Sequence, residues 1–109
     1  INKLTQEHKI FIMKIDNQIQ AINFSLDNKL KQFINKKISK LFLFDNNISR
    51  LNIYLKVARP ESHKNKISEI KLFSSDLAIF AKKQANSFEE SIDLVCEALR
   101  KQIIKNKKK

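Results

Sequence analysis

The sequence predicts an α+β domain in the order β-α-β-β-β-α, with a four-stranded sheet and two helices packed on one face. Four segments alternate apolar and polar residues, as half-buried strands do, and two longer segments repeat apolar residues with the period of an α-helix. Since each segment offers a single apolar side, one sheet covered on one face by both helices buries all of them. We expect a right-handed first crossover, with the first two strands parallel.

The first strand is predicted over Met13–Phe24. In this segment Ile15, Asn17 and Ile19 alternate with three polar residues, which are Asp16, Gln18 and Gln20. The polar character of this segment is high for a strand in the middle of a sheet. We therefore expect an edge strand, or a strand with one face in water.

The first helix is predicted over Ser25–Phe44, where Ser25 or Asp27 can cap the free amides of the first turn. Its apolar residues fall on one helical face: Leu26, Leu30, Phe33, Ile34, Ile38 and Leu41. The chain contains no glycine, so we expect the asparagines in Asp45–Asn47 to end the helix as glycine usually does.

Three further strands are expected as a meander over residues 48–58, 66–73 and 77–85. The side chains predicted to point toward the core are Leu51, Ile53, Leu55, Val57, Ile70, Leu72, Leu77, Ile79 and Ala81. Tyr54 and Phe73 fall on the opposite face, beside several cations. Two interpretations stay open for them: a platform on which RNA bases stack, or an ordinary cross-strand pair or self-association patch.

The last helix is predicted to begin at Ser87, because Ser87 and Glu90 form a capping box, and to run toward Lys105. Its apolar stripe consists of Phe88, Ile92, Val95, Leu99 and Ile103. Acidic residues occupy the first turns and basic residues the last, which matches the helix dipole.

The length and charge limit the classes of protein to consider. The 109 residues suffice for one domain, and no apolar run approaches the ~20 residues of a membrane span. A single cysteine, Cys96, excludes an internal disulfide and fits a cytoplasmic protein. We expect either that Met13 is the natural start or that residues 1–12 form a poorly ordered leader, and we expect residues 13–109 to form one domain.

The net charge of +11 is concentrated on the two helices. No acidic residue lies between Asp27 and Asp45, and none lies in the last ten residues. At 100° per residue, Lys29, Lys36 and Lys40 fall within about 40° of one another. Two interpretations stay open: a solvated lysine-rich face in a chain with AT-rich codon bias, or a surface for a polyanion such as RNA.

Candidate catalytic groups are almost absent. His8 and His63 are isolated, so we expect no metal site. Ser87 is explained as a helix cap, and Cys96 is expected to pack in the core. A chain without glycine has no glycine-rich phosphate loop. We expect no enzyme activity, no cofactor and no small-molecule substrate.

The order of elements and five strings resemble the ribosome hibernation promoting factors, the family of ribosome-associated inhibitor A. The strings are Ile19–Phe24, Phe33–Leu41, Glu69–Leu72, Lys82–Gln84 with Ser87–Asp93, and Ala98–Ile103. The resemblance is to short forms of the Bacteroidetes type, since the chain stops at Lys109 without the C-terminal domain that long forms carry. Departures are Ala98, where many members have lysine, and a turn between the last two strands without the usual glycine.

The resemblance implies a stress or stationary-phase factor that binds rRNA of the small ribosomal subunit, within the assembled ribosome. It would occupy the channel of mRNA and of A- and P-site tRNA and stop translation reversibly. Lys37, Lys40, Lys101 and Lys105 match the family's basic helix positions. With the neighbouring cations, the candidate RNA-binding residues are Lys29, Lys36, Lys37, Lys40, Arg100, Lys101, Lys105, Lys107 and Lys108.

Two alternatives to a hibernation factor remain from the residues alone. A stand-alone domain of the double-stranded-RNA class shares the α-β-β-β-α order and reads RNA shape. The other is a structural protein that forms a homodimer through Tyr54 and Phe73. A hibernation factor should prefer intact small subunits, whereas the first alternative should bind free duplex RNA and the second should self-associate.

Overall fold

The computed structural model describes residues 19–59, 63–75 and 77–107, and its elements follow the predicted order. They are β1 (Ile19–Ile22), α1 (Asn28–Ser39) with a 3-10 turn (Lys40–Leu43), β2 (Ile48–Val57), β3 (Lys66–Ser74), β4 (Leu77–Ala85) and α2 (Phe88–Lys107). The predicted α+β class is confirmed. The predicted leader, residues 1–12, and the first part of the predicted first strand lie outside the described residues.

The four strands form one sheet in the order β1-β2-β3-β4. β1 runs parallel to β2, as predicted, and lies at an edge of the sheet. The β2–β3 and β3–β4 pairs are antiparallel. On β2 the alternation predicted from the sequence is observed, since Leu51, Ile53 and Leu55 are fully buried.

The core lies between one face of the sheet and the apolar stripes of both helices. Ile34 and Ile38 of α1 and Ile92 and Leu99 of α2 belong to the same buried cluster as the inward residues of the strands. A fully buried aliphatic side chain of this kind contributes about 1.5–3 kcal/mol. Both helices cover the same face, so among residues 19–59, 63–75 and 77–107 no helix covers the opposite face of the sheet.

Both helix starts follow the sequence prediction. The Asp27 carboxylate accepts a hydrogen bond from the Leu30 amide (2.8 Å), so Asp27 and not Ser25 is the cap of α1. At α2 the Ser87 hydroxyl accepts from the Glu90 amide (3.1 Å), and the Glu90 carboxylate accepts from the Asn86 amide (3.2 Å). The capping box is confirmed, although its glutamate bonds the residue before the serine.

The helical segment ends one residue before the predicted bound, Phe44, but the predicted way of ending it, with a left-handed asparagine, is wrong. The helix ends at Ser39 and tightens into the 3-10 turn, where the Phe44 and Asp45 amides both donate to the Leu41 carbonyl. The Asp45 carboxylate then accepts from the Asn47 amide (2.8 Å). The Leu41 carbonyl is thus paired without a left-handed asparagine, and neither Asn46 nor Asn47 has a positive φ angle.

The positive φ angles among the described residues lie elsewhere, at Asn23 (71°) and Lys64 (55°). Asn23 follows β1, and its side-chain amide donates to the Val57 carbonyl at the end of β2 (3.1 Å). This bond fixes the connection between β1 and α1 to the neighbouring strand.

Candidate nucleic-acid interface

The first row of cations lies on α1. Lys29, Lys36 and Lys40 are exposed and project away from the buried residues Ile34 and Ile38. Within Asn28–Ser39 there is no acidic residue to offset them. We call these three residues the α1 row.

Lys37 has a different environment, because it faces α2. Its ammonium nitrogen lies 2.7 Å from Oδ1 of Asp93 and 5.5 Å from the centre of the Phe33 ring. The hydrogen bond to Asp93 is the main reason that the pKa of Lys37 is raised. Although no acidic residue is near Lys37 along α1, docking of α2 supplies one.

On α2, Lys101 and Lys105 are exposed and lie one turn apart on the same side of the helix. We call these two residues the α2 row. Arg100 turns toward α1 instead, where its guanidinium lies 5.7 Å from the centre of the Phe44 ring. The same guanidinium donates to both carboxylate oxygens of Glu97 (2.8 and 2.6 Å), which is the main cause that lowers the pKa of Glu97. Arg100 thus also has an acidic partner.

A groove of about 290 Å³ separates the two helices. Its cations are Lys37, Lys40 and Arg100, and much of its lining is apolar. Cys96 lies at its base, where burial raises the pKa of the thiol to about 12 and keeps it neutral. This agrees with the prediction that Cys96 packs in the core.

Leu43 is a groove residue that the sequence analysis missed. It lines the groove at the 3-10 turn, and 79% of it is exposed. A signal was present, because Leu41–Phe44 is a run of four apolar residues, and one face of a helical turn cannot bury all four. Leu43 offers an apolar contact beside the cations of the groove.

Not every predicted residue joins this surface. Lys107 lines a separate polar depression with Asp45 and Asn47, and its position is about 160° around the helix from Lys105. Lys108 lies outside the described residues. The structure therefore brings the α1 row, the α2 row, Lys37 and Arg100 to one side of the molecule.

The two helices run parallel to each other. α1 returns from the end of β1 to the start of the parallel strand β2, so it runs opposite to both strands. β4 has the same direction as β2, and α2 returns from its end in the same way. Their carboxyl-terminal ends, and hence the negative ends of their dipoles, lie at one end of the domain. Lysines near those ends stabilise the helices as well as creating a positive surface. The helix dipole does not explain Lys29, because this lysine lies in the first turn of α1, at the positive end of the dipole.

Other kinds of site find little support. Over residues 19–59, 63–75 and 77–107, no three histidine, cysteine or acidic side chains are close enough together to bind a metal ion. None of the helices described in these ranges combines the length and apolar character that a membrane crossing requires.

Comparison with known proteins gives one family and a set of similar folds. The sequence profile of the family described as sigma 54 modulation protein / S30EA ribosomal protein matches residues 17–109. The fold is similar to that of a ribosomal subunit interface protein from Coxiella burnetii (20% identity, TM-score 0.72, covering 84% of this chain and 98% of that one). It is also similar to the N-terminal domain of Protein Y from Thermus thermophilus (16% identity, TM-score 0.64, covering 79% and 94%). No curated protein sequence matches the chain significantly.

Proposed function

The chain belongs to the sigma 54 modulation protein / S30EA ribosomal protein family of ribosome-associated factors, and from this premise we propose that it is a ribosome hibernation factor. In this proposal it binds rRNA of the small ribosomal subunit in the channel of mRNA and of A- and P-site tRNA. While bound, it blocks translation reversibly in the cytoplasm.

The observation that carries the proposal is the pair of lysine rows of α1 and α2, of which Lys40 also lines the groove between the helices. The five lysines of these rows are exposed on the helix side of the molecule. Both helices pack on the same hydrophobic core, which fixes the two rows relative to each other. Flexible lysines bind phosphates as point charges and release the counterions of the RNA. Such contacts position the protein on the RNA by its shape and do not read its bases. This suits a protein that must leave the ribosome when translation resumes.

Co-sedimentation with purified small subunits across a salt series tests the surface. We expect the triple variant Lys40→Glu, Lys101→Glu and Lys105→Glu to bind at least about 10-fold more weakly. The slope of log affinity against log salt should fall by about two to three, since each phosphate contact contributes about 0.7–0.9. A triple variant that sediments like the wild type contradicts the proposed surface.

A matched pair of single variants controls for net charge. Lys40→Glu and Lys83→Glu each lower the net charge by two, but Lys83 is exposed on β4 and lies outside both rows. Only Lys40→Glu should weaken binding. Equal losses in both variants would mean that total charge matters and the position of the lysines does not.

Competition tests the proposed channel. Excess mRNA and tRNA should displace the wild-type protein from small subunits, and the protein should inhibit a translation extract until it is diluted. Tight binding to free duplex RNA, with no preference for small subunits, would instead support the domain of the double-stranded-RNA class.

A further inference from the structure

The face of the sheet opposite α1 and α2, which no helix in the described part of the chain covers, carries aromatic rings and cations side by side. This open face is formed by the side chains that alternate with the core residues of the four strands. Among its described charged residues, four are cations and one is a carboxylate, Glu69. The cations are Arg50, Lys56, Lys71 and Lys82. The positive charge here is unrelated to the helix rows, because it lies on the other side of the sheet.

The cations of the open face are held against the rings. Arg50 pairs with Phe73 across the β2–β3 ladder, and its guanidinium carbon lies 4.3 Å from the ring centre. The ammonium of Lys71 lies 5.7 Å from the centre of the Tyr54 ring. Lys71 also pairs with Phe80 across the β3–β4 ladder. Such cation–π contacts hold the cations on the surface at fixed positions.

The ring of Phe80 remains available to a planar ligand, and Tyr54 and Phe73 are partly exposed. Phe80 is 59% exposed, which is unusual for a phenylalanine in a strand. A depression of about 140 Å³ lies between Phe73 and Phe80, with Lys71 at its side. A second depression, of about 260 Å³, lies between Tyr54 and Ile22. The Arg50 guanidinium is itself a flat surface on which a base can stack.

We propose that the open face binds a segment of single-stranded RNA, with bases stacked on Tyr54, Phe80 and the Arg50–Phe73 pair. The phosphates are contacted by the lysines between the rings. A duplex does not fit this chemistry, because its bases are already stacked on one another. A second copy of this face is disfavoured, since it would bring two positive surfaces together.

This site goes beyond the proposed function, which uses only the helix side. A protein with both surfaces can hold structured RNA through its helices and an unpaired strand on its sheet at the same time. The two surfaces share no side chain, so variants can remove one and keep the other.

Tyrosine fluorescence gives a direct test. The chain has one tyrosine, Tyr54, and no tryptophan, so its emission reports on the open face alone. Titration with a short oligouridylate should quench this emission as a base stacks on the ring. Loss of one stacking contact by Phe80→Ala or Arg50→Gln should weaken binding about 5- to 100-fold.

Two control variants sharpen the result. Leu94→Ala also truncates an exposed apolar residue, but it lies on α2 and should bind like the wild type. The triple helix variant Lys40→Glu, Lys101→Glu and Lys105→Glu should keep the quenching within a few-fold while losing small subunits. Urea unfolding of every variant confirms that each one is folded.

Several outcomes overturn the proposal. It fails if the oligonucleotide binds without quenching Tyr54, or if Phe80→Ala and Arg50→Gln bind as tightly as Leu94→Ala. It also fails if duplex RNA of equal length competes equally, or if only the triple helix variant loses the oligonucleotide. A dimer that forms at micromolar concentration and is broken by Phe80→Ala would assign the face to self-association.

Discussion

The two sides of the sheet carry charge of the same sign but hold it in different ways. On the helix side, the lysines of the α1 and α2 rows project into solvent at the ends of flexible side chains. On the open face, Arg50 and Lys71 lie over aromatic rings. Free cations suit phosphates, whose positions vary, whereas cations fixed beside rings suit a base and its phosphate together. Net charge alone would have missed this difference.

The largest expected difference between the two sides concerns stability. Leu99 is a fully buried residue of α2, so Leu99→Ala should lower the free energy of unfolding by about 2–5 kcal/mol. Phe80→Ala on the open face should cost less than about 1 kcal/mol, because the ring is largely in water. Urea unfolding followed by circular dichroism measures both. Equal losses would show that the open face is part of the core.

Alkaline pH should lower the free energy of unfolding through Cys96, which is buried on the helix side of the sheet. Burial raises the pKa of this thiol to about 12, above the ordinary value of 9.0 that it regains on unfolding. The unfolded chain therefore loses the proton first, and the free energy of unfolding should fall between pH 9 and pH 12, by about 1.4 kcal/mol per unit. Below pH 9 this contribution is fully present.

The control for the pH experiment is Cys96→Ala, in which the other titrating groups are unchanged. Its pH slope should be shallower than that of the wild type over the same range. Identical slopes would mean that the thiol at the base of the groove is reached by water in the folded protein.

A smaller effect is expected at the start of α2. Ser87→Ala removes the hydroxyl that accepts from the Glu90 amide, which should cost about 1 kcal/mol. Ser75→Ala, in the exposed turn between β3 and β4, should stay within about 0.5 kcal/mol. The midpoint of urea unfolding compares the two. A neutral Ser87→Ala would mean that packing alone holds the helix side in place.

The smallest effect concerns the acids of the groove. Asp93→Asn removes the partner of Lys37 and a negative charge beside the lysine rows, so affinity for small subunits should rise by about two- to five-fold. Glu89→Gln makes the same change of charge in the first turn of α2, away from the groove, and should change affinity less. Equal gains in co-sedimentation would remove any special role of the groove.

Local patterns predicted most of the fold. The bounds of β4 agree with the alternation of its residues, and the five-residue stripe of the last helix is entirely buried. Ser87 and Glu90 were recognisable as a capping box because capping depends on residues within one turn. The family resemblance is confirmed by the profile match over residues 17–109.

Contacts between segments that are distant in the sequence could not be predicted from these local patterns. The Lys37–Asp93 ion pair joins residues that meet only after both helices have docked on the sheet. The sequence also did not predict that the last helical turn tightens to a 3-10 turn at Lys40–Leu43, although Leu41 is buried as its stripe predicted. The sequence thus shows which residues are basic, and the tertiary structure determines which of them form an ion pair with an acidic side chain.

Asn23 has a consequence for how this chain can evolve without glycine. Its left-handed backbone conformation is one that glycine, asparagine and aspartate tolerate best. Of these three, asparagine alone has a side-chain amide that can donate to the Val57 carbonyl. Glycine at this position would relax the backbone but release the connection from β2, and aspartate would place a negative charge against a carbonyl oxygen. Asparagine is therefore the residue of the three that supplies both the left-handed conformation and the bond, without recourse to glycine.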